Sequence, residues 1–347
     1  MKKSKLSVAF LTACMAATLL AGCGDKKTET TEATTEATTE ATTEAATTTE
    51  ATVADATASE AEDDENYETG DASLDNIRNQ DEIGDNELLV VSFGTSFNDS
   101  RRLTIGAIED KLDEEFGKDY SVRRGFTSQI IIDHVKSRDG IAIDNMTEAL
   151  DRAVDNGVKN LVIQPTHLMN GLEYTDVVNE VGDYADAFDQ VVIGDPLLTS
   201  DEDFDEVVKA ITDATAEYDD GETAICFMGH GTEADSNEVY QKMQDKLTDA
   251  GFENYFVGTV EATPSLDDVL AKVQAGDYKK VILEPLMIVA GDHANNDMAG
   301  DEDGSWKKTF EDAGYDVTCL VRGLGELPAI QDIFVKHAQA AIDKLNK

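Results

Sequence analysis

The sequence predicts an α/β fold of two similar lobes, each a parallel sheet flanked by helices, with a cleft between them. Three observations carry that prediction. From residue 88 onward short apolar runs alternate with amphipathic segments, which is the pattern of parallel strands covered by helices. The pattern begins again near residue 222. The two halves also match in detail. LVIQPTHLMNGLEY sets over VILEPLMIVAGDHA with Pro165 over Pro285 and Gly171 over Gly291, which puts Glu173 opposite His293. The Gly-Thr shared by VSFGTS and FMGHGTE puts Phe93 opposite His230.

The elements follow in chain order. MKKSK and then LSVAFLTACMAATLLAGC give a basic region, a short apolar region and small residues, so residues 1–23 read as a secretory signal and not as a membrane span. The Leu20-Ala21-Gly22-Cys23 ending resembles the lipobox of bacterial lipoproteins, which implies lipidation at Cys23 and an exported protein anchored at the outer face of the membrane by lipid alone. Residues 24–87 are rich in Thr, Glu and Ala and nearly free of large apolar side chains. Such a segment cannot bury enough surface to offset its ordering entropy, so it is expected to be a disordered acidic tether with a span on the order of 45 Å.

The folded domain is expected over 88–347, with lobe one at about 88–218 and lobe two at about 219–347. In lobe one LLVVSFGTS, SVRRGFTS, NLVIQPTHL and QVVIGDPLL read as strands; RRLTIGAIEDKLDEEF, MTEALDRAVDNG and YTDVVNEVGDYADAF read as helices. In lobe two the strands are TAICFMGH, NYFVGTVEA, KKVILEPLMIVAG and DVTCLVRG, with helices near NEVYQKMQDKLTDAG, SLDDVLAKVQAG and WKKTFEDAG. Cys226 and Cys319 fall in two of these strand-like runs and are read as buried thiols.

Charge removes whole classes of partner. The chain carries a formal net charge of -44. Residues 24–87 hold 20 acidic and 3 basic residues and the signal three lysines, which leaves -30 on residues 88–347. That surface repels nucleic acid and anionic lipid, so an anionic ligand needs a local basic pocket. Arg101 and Arg102 after the SFGTS turn, and Arg123, Arg124 and Arg138 in the next strand and loop, are the candidates. Ser92, Thr95 and Ser96 could add donors.

Three residues point to chemistry. His230, Glu261 and His293 each follow an apolar strand, at intervals of 31 and 32 residues, about one strand-helix-strand step. All three should therefore emerge at the carboxyl ends of neighbouring parallel strands, where open α/β sheets bind ligands. Two imidazoles and a carboxylate suit a divalent metal of borderline softness such as Co²⁺, Fe²⁺, Ni²⁺ or Zn²⁺. Three protein ligands leave positions open for exchange. Of the other histidines, His134 is expected at the surface or an interface, His167 along the cleft without binding metal, and His337 in a structural role.

At these motifs a family becomes recognisable. SFGTSFNDSRRLTIGAIE, DHVKSRDGIAIDN, QPTHLMNGLEY, GDPLL, FMGHGTE, GTVEATP, PLMIVAGDHANNDMAGD, GSWK and RGLGELPAIQDIFVKH, in order over 88–347, resemble the anaerobic sirohydrochlorin cobaltochelatase family. The resemblance implies a two-lobed chelatase-like fold and a metal held by His230, Glu261 and His293, with His230 also the proton acceptor and Glu261 part of the catalytic set. It implies insertion of Co²⁺, with Fe²⁺ or Ni²⁺ as alternatives, into a sirohydrochlorin-type tetrapyrrole in anaerobic cobalamin synthesis, the metal being a substrate and no organic cofactor being needed. Ser92, Thr95, Ser96, Arg101 and Arg124 are the expected contacts for the acid groups of the macrocycle. A homo-oligomer remains open. The export signal raises a second reading, a tethered capture protein that holds metal or tetrapyrrole without turnover.

Overall fold

The computed structural model describes residues 69–345 apart from residue 82. The signal, the Cys23 lipobox and the tether up to residue 68 lie outside the described residues.

Two four-stranded parallel sheets form the frame. In the first the strands are β1 (Asn86–Ser92), β2 (Ser121–Phe126), β3 (Asn160–Pro165) and β4 (Gln190–Ile193), in spatial order β2-β1-β3-β4. In the second they are β5 (Thr223–Gly229), β6 (Tyr255–Thr259), β7 (Lys280–Pro285) and β8 (Asp316–Cys319), in order β6-β5-β7-β8. The orders are the same, and so is the register: Ser92 pairs with Phe126 as Gly229 pairs with Thr259. The internal likeness seen in the sequence is therefore a likeness of topology. The central strands β1, β5 and β7 are near-continuous apolar runs because helices cover both faces of each sheet.

Between the strands of lobe one run α1 (Asn98–Arg101), a π-helical turn at Arg102–Gly106, α2 (Ala107–Phe116), α3 (Gln129–Asp139), α4 (Met146–Asp155), α5 (Leu172–Tyr184) and α6 (Asp201–Thr215). Lobe two has α7 (Glu238–Asp249), α8 (Leu266–Ala275), a second π-helical turn at Ala294–Met298, α9 (Trp306–Asp312) and α10 (Pro328–Leu345). Local chemistry sets several of these starts. Asn145, Ser200 and Ser265 each cap a helix reciprocally with an acidic residue three positions on, so two orphan N–H groups are satisfied at each end.

Two expected boundaries change. Residues 69–85 are not tether: Thr69 and Arg78 are buried, the Asp75 side chain is 1% exposed, and Arg78 pairs with Asp110 at 2.6 Å. Composition misleads here because ion pairs, together with only two apolar side chains, Ile77 and Ile83, hold this segment on the core. The first sheet ends with β4 and the second begins with β5, yet α10 crosses back and packs on α2, α6, β3 and β4 of lobe one. His337 fixes it there, with ring contacts to the Asp195 carbonyl (3.0 Å) and Asp203 Oδ1 (2.9 Å), the structural role expected of it.

Cys226 and Cys319 are free thiols. Both lie opposite Leu283 of the intervening β7, so they sit two strand spacings apart, roughly 9.6 Å, too far for a disulfide.

Candidate metal centre

Strand order brings the three ligand candidates together. Because β5 lies between β6 and β7, the residues that leave their carboxyl ends share one patch: His230 directly after β5, Glu261 two residues after β6, and His293 eight residues after β7. Their ligand atoms all come within 4.8 Å of one another. The two imidazole centroids are 4.6 Å apart in an edge-on arrangement, and His230 Nδ1 is 3.9 Å from Glu261 Oε2. A bound ion with about 2.1 Å bonds needs donors roughly 3.4 Å apart, so these side chains would have to close in to hold one. His230 and Glu261 are nearly half open to solvent, with side-chain exposures of 43% and 42%, while His293 is at 21%. The site is open.

Each imidazole is oriented from its Nδ1 side. His230 Nδ1 lies 2.8 Å from the Gly231 carbonyl oxygen, which can only accept. The proton therefore sits on Nδ1, and the lone pair on Nε2 is left for a metal or a proton. Gly231 makes this possible. Its φ of +92° turns the chain at once, its N–H donates to the Tyr240 hydroxyl (3.2 Å), and a Cβ there would stand 2.8 Å from the Ala262 nitrogen. Glu261 is fixed by its backbone, whose N–H donates to the His230 carbonyl at 2.9 Å.

His293 caps the second π-helical turn. Its Nδ1 donates to Asp297 Oδ2 at 2.7 Å, one turn on, the carboxylate–histidine pairing that fixes ring orientation and raises ligand basicity. Asn296 donates to Asp292 Oδ1 (2.6 Å) and Asn295 to the Gly291 carbonyl (2.7 Å). The polar cluster that ends PLMIVAGDHANNDMAGD thus holds one histidine in place. Short π-helical stretches are frequent at functional sites.

The residues expected to receive substrate acid groups are a correction. Arg101 and Arg124 are completely buried. Arg124 donates to Glu109 (2.8 and 2.7 Å) and to Asp75 (2.7 and 3.0 Å), and Arg101 to Asp75 at 2.7 Å. Arg123 is likewise buried, on Glu87 and Asp144. These guanidiniums compensate carboxylates inside lobe one, because a buried charge needs a partner. Ser92, Thr95 and Ser96 are buried too; the Ser92 hydroxyl is bonded to that of Thr166 at 2.7 Å.

Lobe one offers a different pair to the cleft. His167 is buried, and burial drops its pKa to about 4, so it stays neutral. Glu173 Oε2 stands 3.7 Å away, too long for a hydrogen bond. Burial against the cleft walls, with a smaller push from Asp176, raises the Glu173 carboxyl to about 7, although 54% of the side chain is open to solvent. The upward direction is what matters for its chemistry. Lobe one touches lobe two close by, where Gly171 faces Ser236.

Sequence reasoning missed Asp297 and Asp75. The first had a signal, a His and an Asp four residues apart after a strand. Asp75 had none, sitting in an acidic run.

Comparisons with known proteins place the chain in a family. A family model described as Cobalt chelatase (CbiK) matches residues 86–343. The chain is 38% identical over 256 residues to the sirohydrochlorin cobaltochelatase of Salmonella typhimurium, which covers 74% of this chain and 96% of that protein. It is 28% identical over 278 residues to the sirohydrochlorin cobaltochelatase CbiKC of Nitratidesulfovibrio vulgaris, covering 79% and 97%. Among solved structures, SirB from Bacillus subtilis with Fe³⁺ superposes with a TM-score of 0.56 over 76% of this chain and 98% of that one. At 13% identity that likeness speaks for the fold alone. Both strand sheets and all three ligand candidates fall inside the matched span, and on that ground the chain belongs to the cobalt chelatase (CbiK) family.

Proposed function

We propose that this protein is a sirohydrochlorin cobaltochelatase, which inserts Co²⁺ into a sirohydrochlorin-type tetrapyrrole for cobalamin synthesis. The observation that carries the reading is the meeting of His230, Glu261 and His293 at the ends of three adjacent strands, with ligand atoms within 4.8 Å. Three ligands of this kind hold a divalent ion while leaving positions open, which suits a metal that has to be surrendered. Insertion releases two pyrrole protons, and an imidazole whose Nδ1 is already committed can take one at Nε2. His230 is that acceptor. The donor set does not by itself select cobalt, since divalent ions follow the usual affinity order at such a site; Fe²⁺ and Ni²⁺ are therefore further candidate substrates.

The Cys23 lipobox and the acidic segment after it support export and anchoring to the outer face of the membrane by lipid. Export also favours the second reading, capture of metal or tetrapyrrole without turnover. One assay separates them. Full-length protein, sirohydrochlorin and Co²⁺ are mixed anaerobically and the absorption shift of the metallated macrocycle is followed. Catalytic turnover is expected, and His230→Ala should nearly abolish it with the fold intact, while Glu261→Gln should have a smaller effect. Stoichiometric binding without turnover would replace the enzyme by the capture reading.

A further inference from the structure

The family match begins at Asn86, yet the chain before it is built into lobe one. Asp75 is the anchor. Its side chain is 1% exposed and receives Arg101 Nε at 2.7 Å and both Arg124 terminal nitrogens at 2.7 and 3.0 Å. Arg124 has Glu109 as a second carboxylate. Arg101 does not: among the described residues Asp75 is the one carboxylate within ion-pair distance of it. Its other contacts are the Thr95 carbonyl (3.1 Å) and Asn98 Oδ1 (2.5 Å), so Asp75 supplies the charge that fixes Arg101 within α1.

The stretch that Arg101 anchors is where lobe one meets the ligand loop of lobe two. The Ala290 N–H donates to Ser100 Oγ at 2.9 Å, three residues before His293. Thr95 Oγ1 stands against Gly291, where a Cβ would approach to 3.3 Å. Thr104, in the following π-helical turn, packs on Gly323 and Gly325 so closely that a Cβ at either would come within 3 Å of it. A continuous set of contacts thus runs from Asp75 through Arg101 and Ser100 to the backbone that carries His293.

We infer that Asp75 is a positioning residue for the metal centre: by pinning Arg101 it seats the His293 loop on α1, so that the segment before β1 sets how well the three ligands converge. The inference rests on His293 being a metal ligand and not on turnover.

The test is Co²⁺ affinity of the full chain, measured by competition with a chromophoric chelator, in wild type, Asp75→Ala, Ser100→Ala and the double variant. Asp75→Ala and Ser100→Ala should each weaken Co²⁺ about 10-fold, the size seen when the groups orienting a ligand are lost. The double variant should be no weaker than the poorer single one, because both act through one contact. Removing Asp75 leaves buried guanidinium charge, so Asp75→Ala is also measured in formate, whose carboxylate fits between Arg101 and Arg124 and should restore both melting temperature and Co²⁺ affinity. Arg101→Met combined with Asp75→Ala should restore stability and leave affinity low. Wild-type affinity in folded Asp75→Ala or in Ser100→Ala, or additive losses in the double variant, would overturn the inference. Failure of the enzyme reading would instead show as tight Co²⁺ binding without insertion.

Discussion

Acid should destabilise this protein through one buried imidazole. His167 is 7% exposed, neither ring nitrogen has a hydrogen-bond partner among the described residues, and burial holds its pKa at about 4, against an ordinary value of about 6.5. A base whose pKa is lowered in the fold is neutral there while the unfolded chain takes up a proton. The unfolded state then binds more protons throughout the window between the two values, and stability rises with pH across it. The contribution is present in full above about 6.5 and is lost as pH falls towards 4. A difference of about 2.5 units at about 1.36 kcal/mol each sets its size at about 3 kcal/mol. Glu173 is a weak partner for it, because the carboxyl lies beyond hydrogen-bond distance at 3.7 Å and burial pushes its pKa upward. Urea unfolding of wild type and His167→Gln at several pH values between about 7.5 and 4.5 isolates the effect, since every other titrating group cancels in the difference. Wild type should lead at neutral pH and lose most of that 3 kcal/mol relative to the variant by the acid end. Parallel curves would refute the argument that burial keeps this imidazole neutral.

The metal centre and the anchor give further expectations. Asp297→Asn should lower Co²⁺ affinity about 10- to 100-fold in a chelator competition, because the residue orients His293 through Nδ1; an unchanged affinity would mean that this pairing does not fix the ligand. Ligand imidazoles must be neutral, so Co²⁺ occupancy should fall on acidification, and occupancy independent of pH would argue against histidine ligands. Equilibrium affinity should fail to predict insertion rate: Ni²⁺ should bind more tightly than Co²⁺ without being inserted faster, as parallel titrations and turnover assays would reveal. Cys23→Ser should move the protein from the membrane fraction to the soluble fraction with activity per molecule unchanged, read by fractionation and assay.

Much of the site was legible because strand period and helix length are regular. The intervals of 31 and 32 residues place His230, Glu261 and His293 on successive strand ends, and the duplicated pattern of Pro165 and Pro285 becomes matching strand order in the two sheets. What stayed hidden depends on who pairs with whom. Arg101 and Arg124 look like cleft cations in sequence because nothing local reveals that Glu109 and Asp75 will enter the interior beside them. Asp75 is concealed twice, in a segment whose composition argues for disorder and at a sequence distance of 49 residues from Arg124. Residues 69–85 are held on lobe one by Asp75 paired with the buried Arg101 and Arg124, by Arg78 paired with Asp110, and by Ile77 and Ile83 against the core, long-range pairings that composition cannot express.

The duplication also bears on how the proposed metal site would release its ion. If the two lobes were chemically equivalent, each would bring a ligand triad to the cleft, and the ion would be enclosed by protein donors. The register shows what stands in lobe one instead. Phe93 follows β1 as His230 follows β5, Ser128 lies two residues beyond Phe126 as Glu261 lies two beyond Thr259, and Glu173 corresponds to His293. Of the three counterparts, Phe93 cannot ligate, Ser128 is buried and caps α3, and Glu173 is pushed towards its neutral form. On the proposed assignment, ligation would come from lobe two alone, since lobe one repeats none of the three ligands at the corresponding positions. A closed cage stabilises bound metal, whereas a site of three ligands, two oriented imidazoles and a half-exposed carboxylate, would leave positions through which an incoming macrocycle could take the ion over.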